Sequence, residues 1–145
     1  MNDAPQLEMP RAQRIYGEII YWMTIVACLI CMIGPAIAVA DPENNVLNPY
    51  KLFDTIFEGK TAEQVWTEVG GGFPGGHFYL DRQYFGYGDA LTQLGLALGC
   101  SCAFWGLLAA AAAYASEKTW LYVILALWVA TLVLLSMTGV VSGGH

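Results

Sequence analysis

Charge is what this sequence is short of. Asp, Glu, Lys and Arg make up 12% of its 145 residues, where a water-soluble domain carries about 25%. Bases are the scarcer sign: six Lys and Arg stand against twelve Asp and Glu, for a net charge of −6. That shortage excludes nucleic-acid binding, which needs a basic stripe facing phosphate. It equally excludes adsorption to anionic lipid through a polybasic patch. Histidine is confined to His77 and His145, so no apolar run holds a haem ligand. No cysteine lies between residues 41 and 89, which removes a disulfide framework from the one polar stretch.

Hydrophobic residues fill the space that charge leaves, at 57% of the chain. They gather in three runs, at about 15–40, 90–115 and 120–141, of which the second and third contain no charge. A helix needs about 20 apolar residues to cross a hydrocarbon core ~30 Å thick. Three helices apolar all round would leave so short a soluble chain no amphipathic layer to cover them. The expected fold is all-α. It is a single membrane domain, residues 1–145, with three transmembrane helices and an extramembrane loop at 41–89. Arg11 and Arg14, an apolar run and Ala38-Val39-Ala40 also resemble a signal peptide. The run is longer than the 7–15 residues of a typical signal core, so a retained helix is expected.

Arg11, Arg14 and Lys118 lie close to helix ends on one face, whereas Lys51, Lys60 and Arg82 are spread along the loop. By the positive-inside rule this favours a cytoplasmic N-terminus and an external loop. The loop holds eight of the twelve acids. Pro49 is placed to open a short helix whose apolar residues at 50, 52, 53, 56 and 57 follow helical spacing. Gly59 stops it. Thr61-Ala62-Glu63-Gln64 reads as a capping box opening a second helix. Both are amphipathic, offering Phe53, Phe57 and Trp66 either to the headgroup level or to a docking partner. Gly70 to Gly76 lack the Lys-Ser/Thr ending of a phosphate-binding loop and serve as turns. Tyr79, Tyr84, Phe85 and Tyr87 join an aromatic belt, and His77 reads as a surface group.

Polar groups within the spans matter most, because burying them unpaired in lipid costs several kcal/mol, to order of magnitude. Asp89 is placed as an N-cap for the second span. Gln93, one turn on, is expected to bond a neighbouring helix, and the pair forms a possible polar site. Gly95, Gly99 and Ala103 recur every fourth residue, which predicts a close helix crossing, within the bundle or between subunits. The third span has no such stripe and is expected to face lipid. Gly34-Pro35 bends the first. Cys28, Cys31, Cys100 and Cys102 are read as apolar packing residues, since ionising a thiol in hydrocarbon is costly. No metal, cofactor or catalytic residues are expected. The sequence offers no nucleophile–base pair or metal-ligand cluster, and Asp54 and Glu58 read as a solvated face.

Thr92-Gln93-Leu94-Gly95-Leu96, then Glu117-Lys118, Leu121-Tyr122-Val123 and a final Leu-rich run carry a family likeness. Over residues 86–138 the chain resembles a bacterial family of small three-span membrane proteins, catalogued as a domain of unknown function. Genes of that family are often found beside sulfite-exporter-like permeases. The chain departs from the family in placing Cys100-Ser101-Cys102 where a Thr-Pro pair is usual, and in a longer loop. The resemblance implies a fold, a place in a bacterial inner membrane and a neighbourhood, not a reaction. The expected function is therefore a non-catalytic accessory subunit in the lipid bilayer, packed against a permease or larger membrane complex. The alternatives are an oligomeric transporter or channel component, lined by Glu18, Asp89 and Gln93, and a quinone-binding or redox-complex subunit.

Overall fold

A computed structural model describes residues 9–138, and among these it has five α-helices and no strand. In order they are α1 (Arg11–Ala40), α2 (Pro49–Phe57), α3 (Ala62–Val69), α4 (Gly88–Ser116) and α5 (Trp120–Met137), with 3-10 turns at Phe78–Leu80 and Arg82–Tyr84. By length and composition α1, α4 and α5 can each cross a membrane. The first starts a turn earlier than its apolar run, on the carbonyl of Pro10, which accepts from Gln13 and Arg14. Arg11 and Arg14 therefore lie within it. Residues 139–145, including the expected end of the third span at Val141, lie outside the described residues.

The short helices form where their caps dictate. The Asn48 side chain accepts the amides of Tyr50 and Lys51, with Pro49 at the first helical position. Glycine in the left-handed region (Gly59, φ 77°) ends α2, with Gly59 N–H donating to Ile56 O and Lys60 N–H to Thr55 O. Thr61 and Gln64 then form the capping box of α3. The α4–α5 turn repeats the two hydrogen bonds that end α2: Lys118 N–H donates to Ala115 O and Thr119 N–H to Tyr114 O. Here the left-handed residue is Lys118, at φ 57°.

Chain contacts divide the molecule into two compact units, Ile25–Gly99 and the remainder. In the first, α4 and α1 pack antiparallel through small residues. A side chain at Gly88 would strike the Ala38 backbone, and one at Gly34 the Thr92 side chain and backbone. One at Gly95 would meet Cys31 and Ile30, yet one at Gly99 finds the Ala27 methyl at 3.6 Å, an ordinary contact. These pairs step along the two helices in opposite directions, one turn at a time. In the second unit Gly106 faces the Tyr16 ring, and Tyr114 stacks on Tyr122 with centroids 5.3 Å apart.

The buried apolar residues are almost all alanine: Ala12, Ala27, Ala90, Ala110, Ala111, Ala113, Ala126 and Ala130, with Val65 and Val123. Large side chains such as Met32, Trp128 and Leu121 point outward. Close approach of helix backbones, rather than interlocking of large side chains, makes this core. The third span does carry a small-residue stripe, contrary to expectation. Val123, Ala126 and Ala130 are its buried face, Val133 is half-buried, and its other apolar side chains are exposed.

Candidate functional site

The end of α1 and the start of α4 each leave unpaired backbone groups, carbonyls on one and amides on the other. A single side chain answers both. Asn45 Nδ2 donates to the carbonyls of Ala38 (3.1 Å), Asp41 (3.0 Å) and Pro42 (3.3 Å), while its Oδ1 accepts from the amide of Asp89 (3.2 Å). Asp89 returns the contact to the same loop: Oδ2 accepts from Leu47 N–H at 3.0 Å, and Oδ1 from Ala90 N–H at 2.8 Å. This corrects the expectation that Asp89 is an N-cap. The helix begins at Gly88 and Asp89 lies in its first turn, where its carboxylate takes the next amide and also ties down the Asn45–Leu47 loop. A carboxylate here is favoured by the positive end of the helix dipole.

Beside this clamp lies a cavity of about 350 Å³. Leu47, Leu52, Trp66 and Phe78 supply apolar and aromatic walls, and Asp89 and Gln93 the polar corner. Asp89 and Gln93, read together from the sequence, thus line one cavity. Gln93 does not bond a neighbouring helix as expected: it is exposed and makes no side-chain hydrogen bond among the described residues. Thr92, between them, turns its hydroxyl to Gly88 O at 2.8 Å.

The three loop aromatics part company. Phe53 and Phe57 are exposed, Phe57 at 87%. Trp66 is half-buried, meets Phe73 edge-on at 5.0 Å and faces the cavity. The expected aromatic belt is in part a packed chain, Phe78 on Tyr84 and Tyr84 on Tyr87, from which Phe85 stands free. His77 is exposed beside Tyr79.

Of the close-packing residues, Gly95 is buried against Cys31, Gly99 lies against Ala27, and Ala103 is half-buried. Asn45 gave no signal in the sequence, nor did the packing roles of Gly34 and Gly88. Asn45 sits in an Asn-rich turn whose side chains have many ordinary uses, and Gly34 is masked by the proline after it. Cys28 and Cys100 are exposed, Cys31 and Cys102 half-buried, and no group of three His, Cys, Asp or Glu gathers among the described residues.

A protein-family model matches residues 12–140, from the first turn of α1 through all of α5. The chain belongs to that family, an uncharacterised one. An uncharacterized protein of Archaeoglobus fulgidus is 28% identical over 95 residues, which cover 64% of this chain and 61% of the relative. The chain thus spans about three fifths of that relative's length. The relative is archaeal, whereas the likeness read over residues 86–138 is to a bacterial family. No solved structure matches.

Proposed function

We propose that the chain is a non-catalytic integral membrane subunit that packs against a permease or a larger membrane complex. The observation that carries this reading is the inverted distribution of side-chain size: alanines inside, large apolar residues outside. Water would not tolerate that surface, since apolar area is stabilised only when removed from it. Lipid and a partner's helices are the surroundings that suit it. The orientation that the basic residues favour has a cytoplasmic N-terminus and the 41–89 segment outside.

The glycine ladder of α4 is occupied by α1 of the same chain. Partner contact therefore falls to the outward face of α5 and to Phe53 and Phe57 on α2. Extraction tests the membrane half: the protein should leave membranes only with detergent, and release by alkaline carbonate would overturn it. The partner half is tested with a photo-crosslinking residue in place of Phe57 or Trp128. A single recurrent membrane-protein adduct is expected from at least one position. Adducts to lipid alone from both would refute the accessory role.

A further inference from the structure

We propose that the Asp89 cavity binds an organic ammonium group carrying an apolar or aromatic substituent. This rests on the cavity and not on the accessory-subunit role. Asp89 is half-buried, yet no Lys, Arg or His among the described residues pairs with it. Its compensation comes from two backbone amides and the first turn of α4. A helix end supplies the equivalent of roughly half a positive charge, so the corner stays net negative. A carboxylate offers about four acceptor positions, and the amides of Leu47 and Ala90 take two. Acceptor capacity is left over on a residue that lines the cavity.

The walls specify the rest of the ligand. Leu47 and Leu52 offer apolar surface, and Trp66 and Phe78 offer rings, which attract cations through the negative potential of their faces. Gln93 has an amide with no hydrogen-bond partner among the described residues. An anion would meet the Asp89 charge and is disfavoured. An uncharged apolar molecule would gain nothing from it. The surrounding 41–89 segment carries eight acids to three bases, and one of those bases, Lys60, is already engaged by Glu58 and Glu68. The field of the whole segment therefore concentrates cations near the cavity.

Two sources share this chemistry, a soluble amine and the ammonium of a phosphatidylethanolamine headgroup. The test uses the full chain in nonionic detergent at low salt, titrated calorimetrically with 2-phenylethylammonium and with its near-isostere 2-phenylethanol. Saturable amine binding is expected, at least tenfold tighter than that of the alcohol, weakened by salt and lost in Asp89→Asn. Gln93→Leu, which removes no internal hydrogen bond, should weaken the amine severalfold without changing thermal stability. Should Asp89→Asn fail to fold, the amine-to-alcohol ratio and Gln93→Leu still decide. Equal binding of amine and alcohol, or undiminished amine binding in Gln93→Leu or in a folded Asp89→Asn, would overturn the proposal. Repeating the titration in nanodiscs separates the sources. Competition by phosphatidylethanolamine, but not by phosphatidylglycerol, identifies a headgroup site; no competition by either identifies a soluble amine.

Discussion

Asn45 shows how much a single amide can hold. It touches three carbonyls at the end of α1 and one amide at the start of α4. A net hydrogen bond contributes roughly 0.5–1.5 kcal/mol, and stranding a half-buried partner costs more. Asn45→Ala should therefore destabilise the protein by about 2–3 kcal/mol, measured by thermal or dodecyl-sulfate unfolding of the detergent-solubilised chain. Asn45→Asp should be no milder, because it removes the donor and sets a second carboxylate beside Asp89. A change within ~0.5 kcal/mol for either would show that the loop, not this side chain, joins the helices. The glycines give a second residue-scale prediction, because their surroundings differ. A methyl at Gly34 or Gly88 has no room, and should cost about 1–3 kcal/mol by overpacking. At Gly99 the methyl only reaches the Ala27 methyl at 3.6 Å, and Gly99→Ala should be neutral or stabilising by up to ~1 kcal/mol through helix propensity. Sequence spacing singles out Gly95 and Gly99 as a pair. Only the register of α1 against α4 reveals that Gly99 is the replaceable one.

The elements whose ends were legible in the sequence are those with local causes. Pro49, Gly59 and the Thr61–Gln64 box each act within one turn of chain, so α2 begins and ends, and α3 begins, where those residues predict. The start of α4 was legible in position but not in its partner, because the Asp89 amide is taken by Asn45, 44 residues away. The α4–α5 turn was legible as a turn but not in its conformation, since lysine gives no signal for a left-handed backbone. That pairing of α2 and α4 ends yields a matched prediction. Gly59 has open space around it, so Gly59→Ala carries only the backbone cost of a positive φ, about 1 kcal/mol. Lys118→Gly removes the same strain and should stabilise by a similar amount, less the added chain entropy of glycine. Opposite signs in unfolding measurements are expected; equal signs would mean that the two ends are not the same motif. The α2–α3 turn adds a titration. Hydrogen bonds that Lys60 donates to Glu68, then to Glu58, hold its half-buried ammonium above the ordinary value of 10.5. A raised value means that the contribution of this pairing is complete below that pH and fades as pH rises through the folded value. By nuclear magnetic resonance Lys60 should titrate at higher pH in the wild type than in Glu68→Gln.

For the whole molecule, the proposed membrane role puts the N-terminus and the Glu117–Lys118 turn on one side of the bilayer and the 41–89 segment on the other. Composition alone made three helices long and apolar enough to cross a membrane readable, because hydrocarbon thickness sets that length whatever they pack against. Their small-residue interior was only half readable. The stripe on α4 has the familiar glycine spacing, whereas Ala126 and Ala130 on α5 are alanines in a Leu-rich helix and stand out only once buried. Orientation is a different question, decided by bases near helix ends and little affected by acids. Arg11 and Arg14 lie in the first turns of α1, and Lys118 in the tight turn before α5. The opposing Lys51, Lys60 and Arg82 are distributed over a long segment, where each has less weight. A cysteine replacing Gln83 should accordingly react with a membrane-impermeant maleimide added to intact cells, and one replacing Glu117 only after permeabilisation. The native cysteines lie within α1 and α4 and provide the background, removed by serine or alanine replacement at Cys28, Cys31, Cys100 and Cys102. Because the bias rests on so few charges, Arg11→Glu, Arg14→Glu and Lys118→Glu combined should weaken or reverse the labelling pattern. If the pattern were reversed in the otherwise unaltered chain, the basic residues would not be what orients it. The acidic 41–89 segment and its Asp89 cavity would then face the cytoplasm.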